Sequence, residues 1–347
     1  MILRLALIGF GNVGQEFVKL LLDKREWLIR SKGLDVEVHS ISTRSRGSLT
    51  SKKPLDLDRA LRLMKDEGHL KSYGLEVTDL RPGELLSKSD ADLMVELSPL
   101  NIESGQPARD HIRVAMEHGM DVITTNKGPV ACAYDELRNL ARSRGVHFRF
   151  EGTVMDGTPI FNLVERTLPG CEILGLTGIL NSTSNFILAQ MSAGRSMDEA
   201  MKEAQRRGFA ETDPSLDIDG WDAAAKIAAL ANVLMEAQVN PTMVKRTGIR
   251  DVRVEDLREA ASKGKKIKMI ASAKPSSDGM KLTVSTELIG PDHPFWSVDG
   301  TSSALTIRTD LMGELTIIES NPTVTQTAYA VFSDMLLIVE AIRSGTI

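Results

Sequence analysis

One stretch of this 347-residue chain, FAETDPSLDIDGWDAAAK (residues 209–226), gathers Glu211, Asp213, Asp217, Asp219 and Asp222 around a single amine, Lys226. A periodic apolar run starts directly after it, so a helix is predicted to begin near Asp219 or Gly220, with an aspartate suited to the N-cap. Asp222 and Lys226 then lie one turn apart on one face, in the acid-before-base order that favours pairing. On a wet surface such a pair is an ordinary ion pair. Residues 223–237, however, are almost wholly Ala, Ile, Leu, Val and Met. A helix this apolar is mostly buried, and a lysine there is costly unless it is paired or used. Upstream, Glu211, Asp213 and Asp217 sit in a segment broken by Pro214 that can curl its acids back toward the helix start. Their mutual repulsion calls for a cation, either Lys226 or the ammonium of a substrate. The residue types leave two readings open: a catalytic or ligand site, and a capped, solvated acidic loop.

Two further stretches carry polar groups where ligands bind. VITTNKGP places Lys127 just past the carboxyl end of a predicted parallel strand, the side of an open α/β sheet that receives ligands, although a loop lysine also commonly faces solvent. GILNSTSNF sets hydroxyl and amide groups between a strand and a helix, suited to a carboxylate or an amino-acid backbone. Helix capping by Asn181 or Ser182 accounts for the same residue types.

The elements that must position these groups begin with ILRLALIGFGNVGQEFVKLLLDK, an apolar run followed by Gly9, Gly11 and Gly14 in G-x-G-x-x-G spacing and then apolar residues at helical intervals. Strand, tight turn and helix in this order are what a dinucleotide site requires. The first glycine permits the turn, the second lets backbone approach a pyrophosphate, and the third lets helix and strand pack closely. Strand patterns at DVEVHSIST, DLMVELS, MDVITTN and VHFRFEG alternate with helical patterns at QPARDHIRVAMEHG and YDELRNLARSRG. That alternation predicts an α/β, Rossmann-type doubly wound parallel sheet over residues 1–150. The second strand runs into STRSRG, with Arg44 and Arg46 where an NAD site usually carries an acid for the ribose 2′-hydroxyl. A guanidinium pairs bidentately with a 2′-phosphate, so NADP is favoured over NAD, while an exposed arginine in a polar loop also serves solubility.

Beyond residue 151 the pattern changes to helices at TPIFNLVERTL, MDEAMKEAQRRG and GWDAAAKIAALANVLMEAQ mixed with strands at CEILGLTGIL, KIKMIASAK, MKLTVSTELI and ALTIRTDL. An α+β second domain over 151–321 follows, with SAKPSSDGM as a hairpin turn inside it. A final helix at about 322–347, with an apolar stripe through Ala328, Val331, Phe332, Met335, Leu336 and Val339, is expected to pack back on the first domain.

Composition narrows the classes. The 42% hydrophobic content supports substantial cores, and 42 basic against 47 acidic residues give a net charge of −5 with no single-sign block, which offers no footprint for nucleic acid or an anionic membrane. No apolar run reaches the roughly 18 residues of a membrane span, and the start MILRLALIGFG lacks the basic leader and small-residue cleavage site of a signal peptide, so a cytoplasmic protein is expected. Cys132 and Cys171 have no paired spacing and read as ordinary buried thiols.

Taken in order, GFGNVG, TTNKGPVA, EGTVMDGTPI, GILNSTSNFIL, GFAETDPSLDIDGWDAAAKIAAL, HPFWSVDG and TAYAVFSDMLLI resemble the homoserine dehydrogenase family over nearly the whole chain. The resemblance implies NAD(P)H-dependent reduction of L-aspartate 4-semialdehyde to L-homoserine, or the reverse, in threonine and methionine biosynthesis. It also implies a nucleotide-binding domain, a catalytic and dimerisation domain, and a homodimer. Carried over residue by residue, the family's acid/base lysine falls on Lys226, its paired aspartate on Asp222 and its second active-site lysine on Lys127. The acid for the substrate amino group falls on Glu211, a further substrate contact on Asp217, and the substrate-loop threonine on Thr183. Lys226 is expected to donate the proton with Asp222 orienting it, and Lys127 to polarise the carbonyl oxygen, though either lysine is chemically able to move the proton. The expected cofactor contacts are Gly9, Gly11, Asn12, Val13, Gly14, Arg44, Arg46, Ser98 and Lys127. Some members hold a sodium ion on backbone carbonyls, which would fall here on Glu151, Val154, Asp156 and Thr158. Two departures from the family stand out: Ser182 in place of the glycine of N-G-T, and IESNPTVTQ in place of a glycine-rich turn before the last helix. The competing expectations are a dehydrogenase of another small amino-acid aldehyde and a non-catalytic NADP-binding regulator.

Overall fold

Seven apolar-rich residues, ILRLALI, form the first strand, β1 (Ile2–Ile8), with Leu3, Leu5 and Leu7 fully buried. A run with so little alternation belongs in a sheet covered on both faces. In the computed structural model of the protein, which describes residues 1–208, 210 and 213–345, the chain divides into two units: Met1–Pro159 with Thr323–Ile347, and Ile160–Pro322.

The first unit continues through α1 (Asn12–Lys32), β2 (Asp35–Ser42), β3 (Ser48–Thr50), α2 (Leu57–Asp66), β4 (Val77–Thr78), α3 (Pro82–Ser87), β5 (Leu93–Glu96), α4 (Ala108–Glu117), β6 (Asp121–Thr124), α5 (Lys127–Arg144) and β7 (Phe148–Arg149). Its seven-stranded sheet has the order β4-β3-β2-β1-β5-β6-β7. Strands β2, β1, β5, β6 and β7 are mutually parallel, and β3 and β4 extend one edge antiparallel. The chain leaves β1 for β2 on one side and returns to β5 on the other, so the order reverses at β1 and opens a crevice there.

The second unit contains α6 (Phe161–Thr167), β8 (Ile173–Ile179), α7 (Ser182–Ser192), α8 (Met197–Arg206), α9 (Ser215–Ile218), α10 (Trp221–Met235), β9 (Lys245–Arg246), α11 (Val254–Ser262), β10 (Lys266–Ser276), β11 (Gly279–Ile289), β12 (Ser303–Thr309) and β13 (Glu314–Glu319). The order of its mixed six-stranded sheet is β13-β12-β8-β10-β11-β9. Ser276 pairs with Gly279 to close the β10–β11 hairpin at the turn read from SAKPSSDGM.

The last helix, α12 (Val324–Ser344), belongs to the first unit. Ala328, Val331, Phe332, Met335, Ile338 and Val339 enter the same core as Leu5 of β1 and Phe17 and Leu21 of α1. Residues 151–159, grouped by sequence pattern with the second domain, lie with the first unit because α12 holds them: Glu151 N–H donates to Asp334 Oδ2 at 2.9 Å and Thr327 Oγ1 to Asp156 Oδ1 at 2.9 Å. Among the described residues no helix is long and apolar enough to cross a membrane.

Candidate active site

In the second unit the amide of Asn181 organises the charged residues. Asn181 follows β8, and its Oδ1 accepts from Ser184 N–H at 2.7 Å, capping α7. That bond fixes which end of the amide is oxygen, so the nitrogen is the end turned to the carboxylates. Nδ2 donates to Asp217 Oδ1 at 2.6 Å and to Asp222 Oδ2 at 3.0 Å. Capping was the ordinary explanation for Asn181, and the same side chain also bridges two acids. Asp222, in the first turn of α10, pairs with Lys226 Nζ at 3.2 Å, and the two side chains are only 13% and 16% exposed. Lys226 also donates to the carbonyl of Leu180 at 2.8 Å. The ammonium is thus held by a carboxylate and a carbonyl, and the helix around it, Ala223 to Asn232, is buried apart from Lys226 itself. Thr183, in the first turn of α7, is buried close in sequence to the same cap. Glu211 lies outside the described residues.

The expected cap at Asp219 is taken by another residue. Gly220, at φ +78°, occupies the N-cap position of α10 without a side-chain bond, and Asp219 is turned to Arg250, whose Nε and NH2 donate at 2.8 and 3.0 Å. Those hydrogen bonds hold the Asp219 carboxyl below the usual carboxylate range. A backbone strap causes the displacement. Ile249 N–H donates to Ile218 O at 2.7 Å, a Cβ on Gly248 would run into that same carbonyl, and Arg246 lies 3.6 Å over the Trp221 ring while donating to Asp219 O at 2.6 Å. Asp213 acts as a turn residue, its Oδ1 accepting from Ser215 N–H at 3.0 Å.

In the first unit the polar groups collect at the carboxyl ends of β1, β2, β5 and β6. Gly9 N–H donates to Ser42 O at 2.8 Å and Leu97 N–H to Ile8 O at 2.7 Å, drawing three strand ends together. Gly9 has φ +108°, and a Cβ there would stand 2.5 Å from the carbonyl oxygen of Leu97; one on Gly14 would stand 2.9 Å from Gly9 O. These two glycines are needed by the turn itself. Gly11 differs, since a Cβ there would meet nothing within 4 Å. Gly11 and Asn12 are exposed, Val13 is half-buried, and α1 starts with no side-chain cap and no acid in its first turn. Its leading N–H groups are thus arranged to receive an anion. Ser98 adds a buried hydroxyl oxygen without a hydrogen-bond partner. Arg44 and Arg46 are exposed in the turn after β2, which Thr43 shapes by donating to Gly47 O at 2.6 Å and accepting from Arg46 N–H at 3.0 Å. Lys127 is the first residue of α5, directly after its cap Asn126, and is half-buried. These features fit a dinucleotide: an open backbone cradle, an uncapped helix start, an orphan hydroxyl and two exposed guanidinium groups.

Gly11→Ala gives a direct check on that fit. Because the added methyl group meets open space at an ordinary φ of −82°, stability should stay within about 1 kcal/mol of the parent, while dinucleotide affinity falls about 10-fold or more through lost backbone approach to the pyrophosphate. A titration showing unchanged affinity would remove Gly11 from the cofactor site.

The segment 151–158 forms a short 3-10 turn (Glu151–Thr153) and then an αL residue, Asp156 at φ +46°. The carbonyls of Phe150 and Met155 accept turn bonds from Thr153 N–H and Thr158 N–H. The four donors expected for an ion, the carbonyls of Glu151, Val154, Asp156 and Thr158, are neutral hard oxygens, a set that suits an alkali cation and not a soft metal.

Residues 159–336 match the family model described as homoserine dehydrogenase, and residues 9–151 match that of the homoserine dehydrogenase NAD binding domain. A homoserine dehydrogenase of Sulfurisphaera tokodaii is 39% identical over 97% of this chain and 98% of its own length. An NAD(+)-dependent homoserine dehydrogenase of Pseudomonas canavaninivorans is 33% identical over 96% and 95%. The solved structure of a hyperthermophilic archaeal homoserine dehydrogenase in complex with NADPH superimposes with a TM-score of 0.81 at 31% identity, covering 98% of each chain.

Proposed function

Since the chain belongs to the homoserine dehydrogenase family, NAD(P)-dependent oxidoreductases that interconvert L-aspartate 4-semialdehyde and L-homoserine, we propose specific tasks for its residues in that reaction. The observation that carries the assignment is the half-buried Lys226, held by Asp222 and Leu180 O beside two carboxylates that share one amide. A bound reduced nicotinamide supplies hydride to the aldehyde carbon. The oxygen then needs a proton, and Lys226 donates it while its positive charge stabilises the developing alkoxide. Asp222 orients Lys226. Asp217, with Glu211, holds the substrate ammonium, Thr183 contacts the substrate, and Lys127 polarises the carbonyl oxygen. In the oxidative direction the same lysine takes the proton back.

Gly9, Gly11, Asn12, Val13, Gly14, Ser98 and Lys127 bind the dinucleotide, and Arg44 and Arg46 take a 2′-phosphate, which makes NADP the preferred form. A sodium ion, where one binds, would be held by the carbonyls of Glu151, Val154, Asp156 and Thr158. The working protein is a cytoplasmic homodimer, a reading that draws on the family and on exposed Leu288, Leu311, Met312 and Ile318 in the second unit.

Homoserine oxidation followed at 340 nm with NADP and with NAD tests this reading. The parent should favour NADP, and the Arg44→Ala/Arg46→Ala double variant should lose about 10- to 100-fold in kcat/KM with NADP and less than about 3-fold with NAD. Equal losses with both cofactors, or a parent that favours NAD, would remove the arginines from cofactor choice. Absence of homoserine turnover with either would overturn the residue assignments altogether.

A further inference from the structure

Glu96 ends β5 with a fully buried side chain that the reaction above does not use. It meets three polar groups: Ser98 N–H donates to Oε1 at 3.2 Å, His111 Nδ1 lies 3.4 Å from Oε1, and the Thr124 hydroxyl lies 3.4 Å from Oε2 and 3.1 Å from the Glu96 carbonyl. A carboxylate buried at this depth persists only when its lone pairs are satisfied, and an ionised one is an acceptor only. Ser98 N–H can only donate, so Oε1 is an acceptor at that contact.

Thr124 passes the constraint to the neighbouring loop. Its Oγ1 accepts from Asn126 N–H at 2.9 Å. Asn126 Oδ1 accepts from Gly128 N–H at 3.0 Å, and its Nδ2 donates back to the carbonyls of Ser98 at 2.9 Å and Pro99 at 3.2 Å. The hydrogen bonds close a ring through Glu96, Ser98, Asn126 and Thr124, tying the loop after β5 to the loop after β6. The two backbones meet again where a Cβ on Gly105 would stand 2.9 Å from Gly128. Ser98, a member of this ring, carries the orphan hydroxyl, and Lys127 directly follows Asn126, inside the turn that Asn126 closes on Gly128 N–H. Both loops lie on the β5 side of the crevice at β1, whereas Arg44 and Arg46 lie on the β2 side. A dinucleotide straddles such a crevice with its adenosine toward β2, which leaves the nicotinamide half to the β5 side.

From this we infer that Glu96 is a positioning residue for the nicotinamide half of the cofactor, acting through the ring it forms with Thr124 and Asn126 on Ser98 and Lys127. The inference rests on the reading that Ser98 and Lys127 face the cofactor.

The test compares reduced dinucleotide with ADP, which reaches only the glycine turn and the β2 side, by fluorescence and calorimetric titration. Glu96→Gln turns one acceptor into a donor inside the ring, and Thr124→Val removes the bridging hydroxyl with little change of shape, so the second variant serves if the first does not fold by circular dichroism. Dinucleotide affinity should fall about 10-fold in either variant, with ADP affinity within about twofold of the parent. Parallel weakening of dinucleotide and ADP, or no change in either, overturns the inference. Ser98→Ala and Lys127→Ala separate the layers. If both leave dinucleotide affinity unchanged, the underlying cofactor assignment fails and the inference with it; if they weaken it and the Glu96 and Thr124 variants do not, the positioning role alone fails.

Discussion

Lys226→Ala should lower kcat for aspartate semialdehyde reduction by about 10² to 10⁴, the usual contribution of a positioned general acid. The ammonium sits on a helix buried from Ala223 to Asn232 apart from Lys226 itself, and it is held by Asp222 and Leu180 O. The variant also leaves Asp222 without its cation, although Asn181 Nδ2 still donates to that carboxylate, which limits the structural damage. Lys226→Arg separates charge from proton transfer. A guanidinium preserves the positive charge beside Asp222 but does not release its proton, so kcat should stay near the alanine level while the KM for the aldehyde moves much less. If both variants turn over within about threefold of the parent and keep its circular dichroism spectrum, Lys226 is not the proton donor.

Gly9→Ala is expected to unfold the first unit more readily than any change elsewhere in the turn. Two penalties act together: a φ of +108°, which L side chains rarely adopt, and a methyl carbon 2.5 Å from the carbonyl oxygen of Leu97. Backbone strain of about 1–3 kcal/mol and overpacking of about 1–3 kcal/mol add to roughly 4 kcal/mol, or a fall in melting temperature on the order of 10 °C for a unit of this size. The obstruction is backbone, so no rotamer change relieves it. The bond from Gly9 N–H to Ser42 O sits at the same point, and displacement there would move the ends of both β2 and β5. A melting temperature within about 2 °C of the parent would show that the turn has another low-energy form. The contrast with Gly11→Ala is informative because neighbouring glycines of one motif are expected to fail for different reasons, one in folding and the other in binding.

How much of this was legible in sequence depended on distance along the chain. The β1 turn and α1 could be read because their signal is local: an apolar run, three spaced glycines and a helical stripe within about 20 residues. Asp222 and Lys226 were readable as a pair for the same reason, being one turn apart. Asn181 read either as a cap or as one of the polar groups of a ligand loop, and its bridge between two acids was not legible because those partners stand 36 and 41 residues away. Asp219 looked like a cap because an aspartate just before an apolar helix normally is one, yet Arg250, 31 residues later, takes its carboxylate. Glu96 gave no signal at all. An acid near the carboxyl end of DLMVELS reads as the place where a buried strand meets solvent, and only the return of Thr124 and His111 encloses it. Residues 151–159 were grouped forward with the sequence that follows them, whereas the contacts that hold them come from α12.

The return of α12 to the first unit has a consequence for biogenesis. A ribosome that has emitted residues up to Pro159 must translate the whole second unit before Ala328, Val331, Phe332 and Met335 emerge to cover Phe17 and Leu21. At elongation rates of about 5–20 residues per second that interval is roughly 10 to 30 s, long compared with the collapse of a nascent domain. During it the nucleotide-binding half exists with an open apolar flank, a natural client for a chaperone, and its completion is timed by the end of translation instead of its own emergence.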